Sequence, residues 1–185
     1  MNFNKATESL TKVIAGPVAR ALPSRMRETF LLRSFGFLKI PVLFFVSPSV
    51  VELSEQRCVI KIPLSRRTRN HVGSMYFAVM AAGADCAGGL IAYRMIQESG
   101  SPVSLIFKDF KAEFLKRAEG DVLFTCDQGA EIRKFVSKAI QSGERENMPV
   151  HVTATVPSKF GNEPIAQFVL TLSLKRKSDS SRSSS

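Results

Sequence analysis

Apolar and polar positions follow two rhythms along this chain. Residues 149–157 and 164–175 alternate with period two: Val150, Val152, Ala154 and Val156 point one way, while His151, Thr153 and Thr155 point the other. Ala166, Phe168, Leu170, Leu172 and Leu174 repeat the pattern. Side chains alternate across an extended strand, so both segments predict strands with one face in a core. Residues 103–116 and 121–127 predict two more. Upstream, "VLFFVSPSVVEL" and "RCVIKIPLS" are β-rich runs parted by "SEQ" and predict a hairpin, with Cys58, Ile60, Ile62 and Leu64 on one face of its second strand.

Three segments follow the helical period instead. Residues 5–34 read as helix interrupted at Pro17 and Pro23, the later part opening at Ser24 with Met26, Phe30, Leu31 and Ser34 on one face. "GAEIRKFVSKAIQSG" is a short amphipathic helix with Ile132, Phe135, Val136 and Ile140 inward. Ser74 to about Glu98 predicts one long helix, stopped by Gly100, Ser101 and Pro102. That helix is apolar nearly all round and needs cover on every side, which a curved antiparallel sheet wrapped around it supplies. The expected fold is α+β: residues 1–38 a helical extension, 39–176 the sheet-and-helix domain, and 177–185 a disordered basic and serine-rich tail.

Composition narrows the picture. A chain of 185 residues suits one domain with a sizeable core. Cys58, Cys86 and Cys126 show no paired spacing, which fits a reducing compartment. The N-terminus lacks a continuous apolar run after its first charges, so a cytoplasmic location is expected. A formal net charge of +10 favours anionic partners, but no basic strand face interleaved with aromatics is present, which argues against nucleic acid. No histidine and acidic cluster supports a metal, and the Gly-x-Ser-x-Gly elbow of serine hydrolases is absent.

One residue stands against its surroundings. In "NHVGSMYFAVMAAGADCAGGL", residues 70–90, Asp85 is the sole charge. A carboxylate in an apolar interior is costly, and costlier still inside a membrane, so a buried core helix is the better reading of the uncharged run. Asp85 then either bonds to a neighbour or is held in a pocket for chemistry.

Three stretches in order carry a resemblance: "IKIPLSRRTRNHVGSMYFAVMAAGADCAGG", "FKAEFLKRAEGDVLFTC" with its turn at Gly120 and Asp121, and "VHVTATVPSKFGNEPIAQFVLTLSL" with Gly161 at its turn. Together they resemble the hot-dog fold thioesterase superfamily, in its phenylacetyl-CoA thioesterase-like branch and closest to a thioesterase-like family of unknown function. The resemblance implies hydrolysis of acyl-CoA or another acyl thioester, with coenzyme A entering only as part of the substrate and no other cofactor. It also implies a homodimer or dimer of dimers with its site where two subunits meet. Asp85 aligns with the family's catalytic carboxylate, a general base or nucleophile, whereas Tyr76, Phe77 and Ala78 stand where the superfamily carries His-Gly-Gly. Asn70, His71, Gly73 and Tyr76 are then candidates to line the substrate site, and Arg66, Arg67 and Arg69 to meet coenzyme A phosphates. A non-catalytic acyl-CoA or lipid-binding protein of the same fold is the alternative. Membrane docking by the basic N-terminal helices ranks third.

Overall fold

The computed structural model describes residues 23–177; the helical reading of 5–22 and the disordered tail from 178 lie outside them. Helix α1, Ser24–Lys39, leads into a short helix α2, Pro41–Val46. The strands are β1 Ser49–Leu53, β2 Cys58–Ile62, β3 Val103–Phe114, β4 Val122–Cys126, β5 Glu146–Thr155 and β6 Pro164–Arg176. Between them come the long helix α3, Phe77–Ser99, the amphipathic helix α4, Gly129–Ser142, and a single turn α5, Pro157–Phe160.

All six strands join one antiparallel sheet in the order β1-β2-β4-β5-β6-β3. The alternating positions fulfil their prediction: Val150, Val152, Ala154, Phe168, Leu170, Leu172 and Leu174 are all buried on one side of the sheet. That side curves around α3, which is long and apolar enough to span a membrane but packs mostly buried as the core helix. Within α3, close approach requires glycine at one point. A Cβ on Gly83 would lie 2.3 Å from the ring of Phe124, a fully buried residue of β4. Gly100 ends the helix in the left-handed conformation at φ 64°, which a residue without Cβ adopts freely.

Two segments depart from expectation. Residues 42–46, expected as strand, form α2: Pro41 sits in its first turn, Ser47 closes it left-handed at φ 55°, and Leu43 and Val46 turn into the core. Burial of those side chains against α1, with the backbone of Phe44 only 2.8 Å from where a Gly36 Cβ would stand, outweighs the β preference of "VLFFV". Strand β5 starts at Glu146, ahead of the expected 149, and carries Pro149 within it. Only Thr153, Ala154 and Thr155 pair with β4, so the proline lies where that side of the strand is an open edge.

Helix α1 is tied to β1 by polar bonds. The Val50 N–H donates to Thr29 Oγ1 at 2.9 Å, and the Arg33 guanidinium donates to the carbonyls of Pro48 and Ser47 and to Ser49 Oγ at 2.9, 3.2 and 3.1 Å. The turn at Asp121 is equally fixed, its carboxylate accepting from the Leu64 N–H and pairing with Lys61, both near 2.9 Å. The Lys61 bond first, then the Leu64 bond, holds the Asp121 carboxyl below the usual range.

Candidate functional site

The stretch 63–76 that precedes α3 is held by its own polar groups. Thr68, buried, donates from Oγ1 to the Pro63 carbonyl at 2.7 Å and accepts from the Ser65 N–H at 2.8 Å. The Tyr76 N–H donates to the Thr68 carbonyl and the Met75 N–H to the Ala118 carbonyl, each at 2.8 Å, which docks the start of the helix. Asn70 Oδ1 accepts from the Val72 and Ser74 N–H groups at 3.0 and 3.1 Å, and Gly73 turns at φ 85°. Asn70 and Gly73 therefore shape the loop, while Arg66, Arg67, Arg69, His71 and Tyr76 project into solvent from it. The Tyr76 ring rests edge-on against exposed Phe77, 4.9 Å between centroids.

Asp85 lies elsewhere. It stands on the α3 face turned towards α1 and β3, in a cavity of about 730 Å³ between the three elements. Leu32, Phe35, Leu90, Val103, Leu105 and Phe107 give the cavity an apolar interior, and Arg27, Lys39, Arg94 and Glu98 bring charge to its wall. That volume falls inside the ~300–1,000 Å³ of small-molecule sites. Among the described residues no cation or hydrogen-bond donor pairs with the Asp85 carboxylate. Desolvation alone raises its pKa from 3.8 to about 6. Next to it, burial and the Asp85 charge push the Cys86 thiol far up, so that it is an inert core residue.

Three wall residues were not singled out from sequence. Tyr93 lies two turns beyond Asp85, packs on Phe35 at 5.0 Å between centroids, and has its hydroxyl pKa raised by burial. Arg94 bonds Glu98 at 2.8 Å and approaches Glu28 at 3.9 Å; burial raises the Glu28 carboxyl, with Arg94 opposing. The i, i+4, i+8 spacing of Asp85, Gly89 and Tyr93 is a sequence signal for the first of these. Arg94 and Glu28 carry none, because their meeting depends on where α1 packs.

The predicted site residues thus form two groups. Asn70, His71, Gly73, Tyr76, Arg66, Arg67 and Arg69 share the loop before α3, and none of them lines the Asp85 cavity. Along the helix Asp85 is eight residues from Phe77, roughly 12 Å at ~1.5 Å per residue. The free N–H groups at the α3 start and the carboxylate of the same subunit do not reach one reacting carbonyl.

A family model described as a domain of unknown function, DUF4442, matches residues 29–166. No curated protein matches the chain in sequence. Solved structures do match in fold. A Chlorobaculum tepidum protein of unknown function superposes with TM-score 0.70 at 12% identity, covering 83% of this chain and 97% of its own. A Pseudomonas aeruginosa protein of unknown function, given as a probable thioesterase, gives 0.64 at 21% identity over 84% and 97%. A thioesterase family protein from Silicibacter pomeroyi gives 0.58 at 18% over 80% and 99%. The fold is the hot-dog fold, an antiparallel sheet wrapped on one long helix, as the sequence resemblance implied.

Proposed function

This chain belongs to the DUF4442 family, and we propose that it hydrolyses an acyl thioester, with Asp85 as general base or nucleophile. The observation that carries the reading is a carboxylate on the wall of a large apolar cavity, without a partner among the described residues and with its pKa brought to about 6. Such a group is mostly ionised at neutral pH yet more basic than an ordinary aspartate, which suits proton abstraction from water. The apolar walls suit the acyl chain. The names of the Pseudomonas aeruginosa and Silicibacter pomeroyi structures, a probable thioesterase and a thioesterase family protein, support the same class of reaction.

The site is shared between two copies. A thioester carbonyl needs an N–H donor within hydrogen-bond reach of its developing oxyanion, and the α3 start of the same subunit is too distant. Strand β3 is a sheet edge of twelve residues with Ile106, Phe110 and Phe114 exposed, a surface suited to pairing with a second copy. Strand β3 also walls the cavity, and in the pairing we propose the α3 start and loop of one protomer come beside Asp85 of its partner. Arg66, Arg67 and Arg69 then meet the coenzyme A phosphates, and Asn70, His71, Gly73 and Tyr76 border the thioester.

A binding protein without turnover is the rival reading, favoured by Tyr76, Phe77 and Ala78 in place of His-Gly-Gly. Thiol release from short, long and aromatic acyl-CoAs, measured beside retention of the same compounds, separates the two. Turnover of any member supports hydrolysis; tight retention of intact acyl-CoA with no thiol release overturns it.

A further inference from the structure

Helix α1 has an apolar face turned the wrong way for a helix whose other side packs on a core. Its buried side carries Leu32 and Gly36, yet Met26, Phe30 and Phe37, spaced to share one outward stripe, are exposed. Helix α2 continues this surface. Leu43 and Val46 point inward, while Val42, Phe44 and Phe45 point out, and the Phe37 and Phe44 rings meet edge-on at 5.2 Å. Phe37 is 64% exposed, Phe44 45% and Phe45 53%. So many large apolar side chains side by side on a surface mark an interaction site.

The electrostatics of the same surface select its partner. No acidic residue occurs between Glu28 and Glu52, or between Glu55 and Asp85, the two segments that supply this region. Arg25 and Lys39 are exposed at the two ends of α1, and the Arg67 guanidinium lies over the Phe45 ring at 5.7 Å, bringing the basic loop of Arg66 and Arg69 to its edge. The chain as a whole carries +10. A second copy meeting this face about a two-fold axis would set like charge against like charge. A bilayer with anionic headgroups takes both components, cations at the headgroups and aromatic side chains at the acyl boundary.

We infer that the α1–α2 face docks the protein on an anionic lipid bilayer. Leu31 and Ile40 belong both to this exposed region and to the wall of the Asp85 cavity, so docking presents the cavity to acyl chains held at the membrane. The inference does not depend on Asp85 being catalytic.

The test is flotation of the full 185-residue chain with vesicles of equimolar phosphatidylserine and phosphatidylcholine, against phosphatidylcholine alone. The wild type is expected to float with the anionic vesicles and to be released by high salt. The double variant Phe37→Gln/Phe44→Gln, checked for wild-type melting and oligomeric state, should partition at least about tenfold more weakly, from the apolar burial it loses. Arg25→Gln should weaken binding by roughly fivefold. Should the double variant fail to fold, Phe37→Gln alone carries the test, with a smaller loss. Wild type that stays unbound overturns the inference. So does binding that is indifferent to the phenylalanines, which would reduce it to attraction by charge alone. A double variant that loses self-association while the wild type ignores vesicles would assign the face to a second copy instead.

Discussion

Replacing Asp85 by asparagine should stabilise this protein at neutral pH and leave its stability unchanged in acid. In the folded chain burial raises the Asp85 pKa from 3.8 to about 6. The folded state therefore holds a proton that the unfolded state has already released. Stability from this group is full below about pH 4 and is lost as pH rises through about 6. A shift of about two units at ~1.4 kcal/mol each bounds the cost of the ionised form at about 3 kcal/mol, and the partial solvent contact of the half-buried carboxylate reduces it. Asparagine is nearly isosteric and does not titrate, so the variant escapes that cost. At ~2–4 °C per kcal/mol for a chain of this size, the melting temperature should rise by up to about 10 °C at pH 7.5. The assay is calorimetry of both proteins side by side at pH 4 and pH 7.5, read as the difference at each pH. A variant that is less stable at pH 7.5, or a difference that does not change with pH, would mean the carboxylate has a stabilising partner and the desolvation argument is wrong.

Two further predictions follow from the same geometry. If Asp85 acts as base, kcat/KM should rise about tenfold between pH 5 and pH 7 with a midpoint near 6; a profile already flat by pH 5 would describe an ordinary, solvated carboxylate. Gly83→Ala should destabilise by roughly 1–3 kcal/mol, because its Cβ would stand 2.3 Å from the ring of buried Phe124, whereas Gly89→Ala, whose Cβ meets Phe107 at an ordinary 3.4 Å, should be neutral or stabilising. Denaturant melts distinguish them, and a Gly83→Ala protein as stable as wild type would refute the close-packing account of α3.

The parts of the fold that sequence reveals are those in which local pattern and tertiary burial agree. Strands β5 and β6 alternate because one face is core and the other is not, and α3 announces itself by being apolar all round. Residues 42–46 mislead because the same residues, Val42 to Val46, suit a strand by composition; the turn at Pro41 and the packing of Leu43 on Gly36 make them helical. Asp85 was legible as a misfit within its own segment. Its cavity was not, since α1, α3 and β3 meet there from three distant stretches, and Glu28 and Arg94 gain their relation only from that meeting. Asn70 was legible as a polar residue before the helix, and the structure adds that its carboxamide oxygen is engaged by two backbone N–H groups of its own turn.

The central claim is that Asp85 stands in its cavity to do chemistry, and the direct measurement is the steady-state rate of thiol release at pH 7.5 by wild type and Asp85→Asn on the best acyl-CoA of the panel. The account predicts a loss of at least about a hundredfold in kcat, with acyl-CoA retention and oligomeric state unchanged. A variant that keeps wild-type turnover would contradict it, and would make Asp85 a buried carboxylate with no part in the reaction.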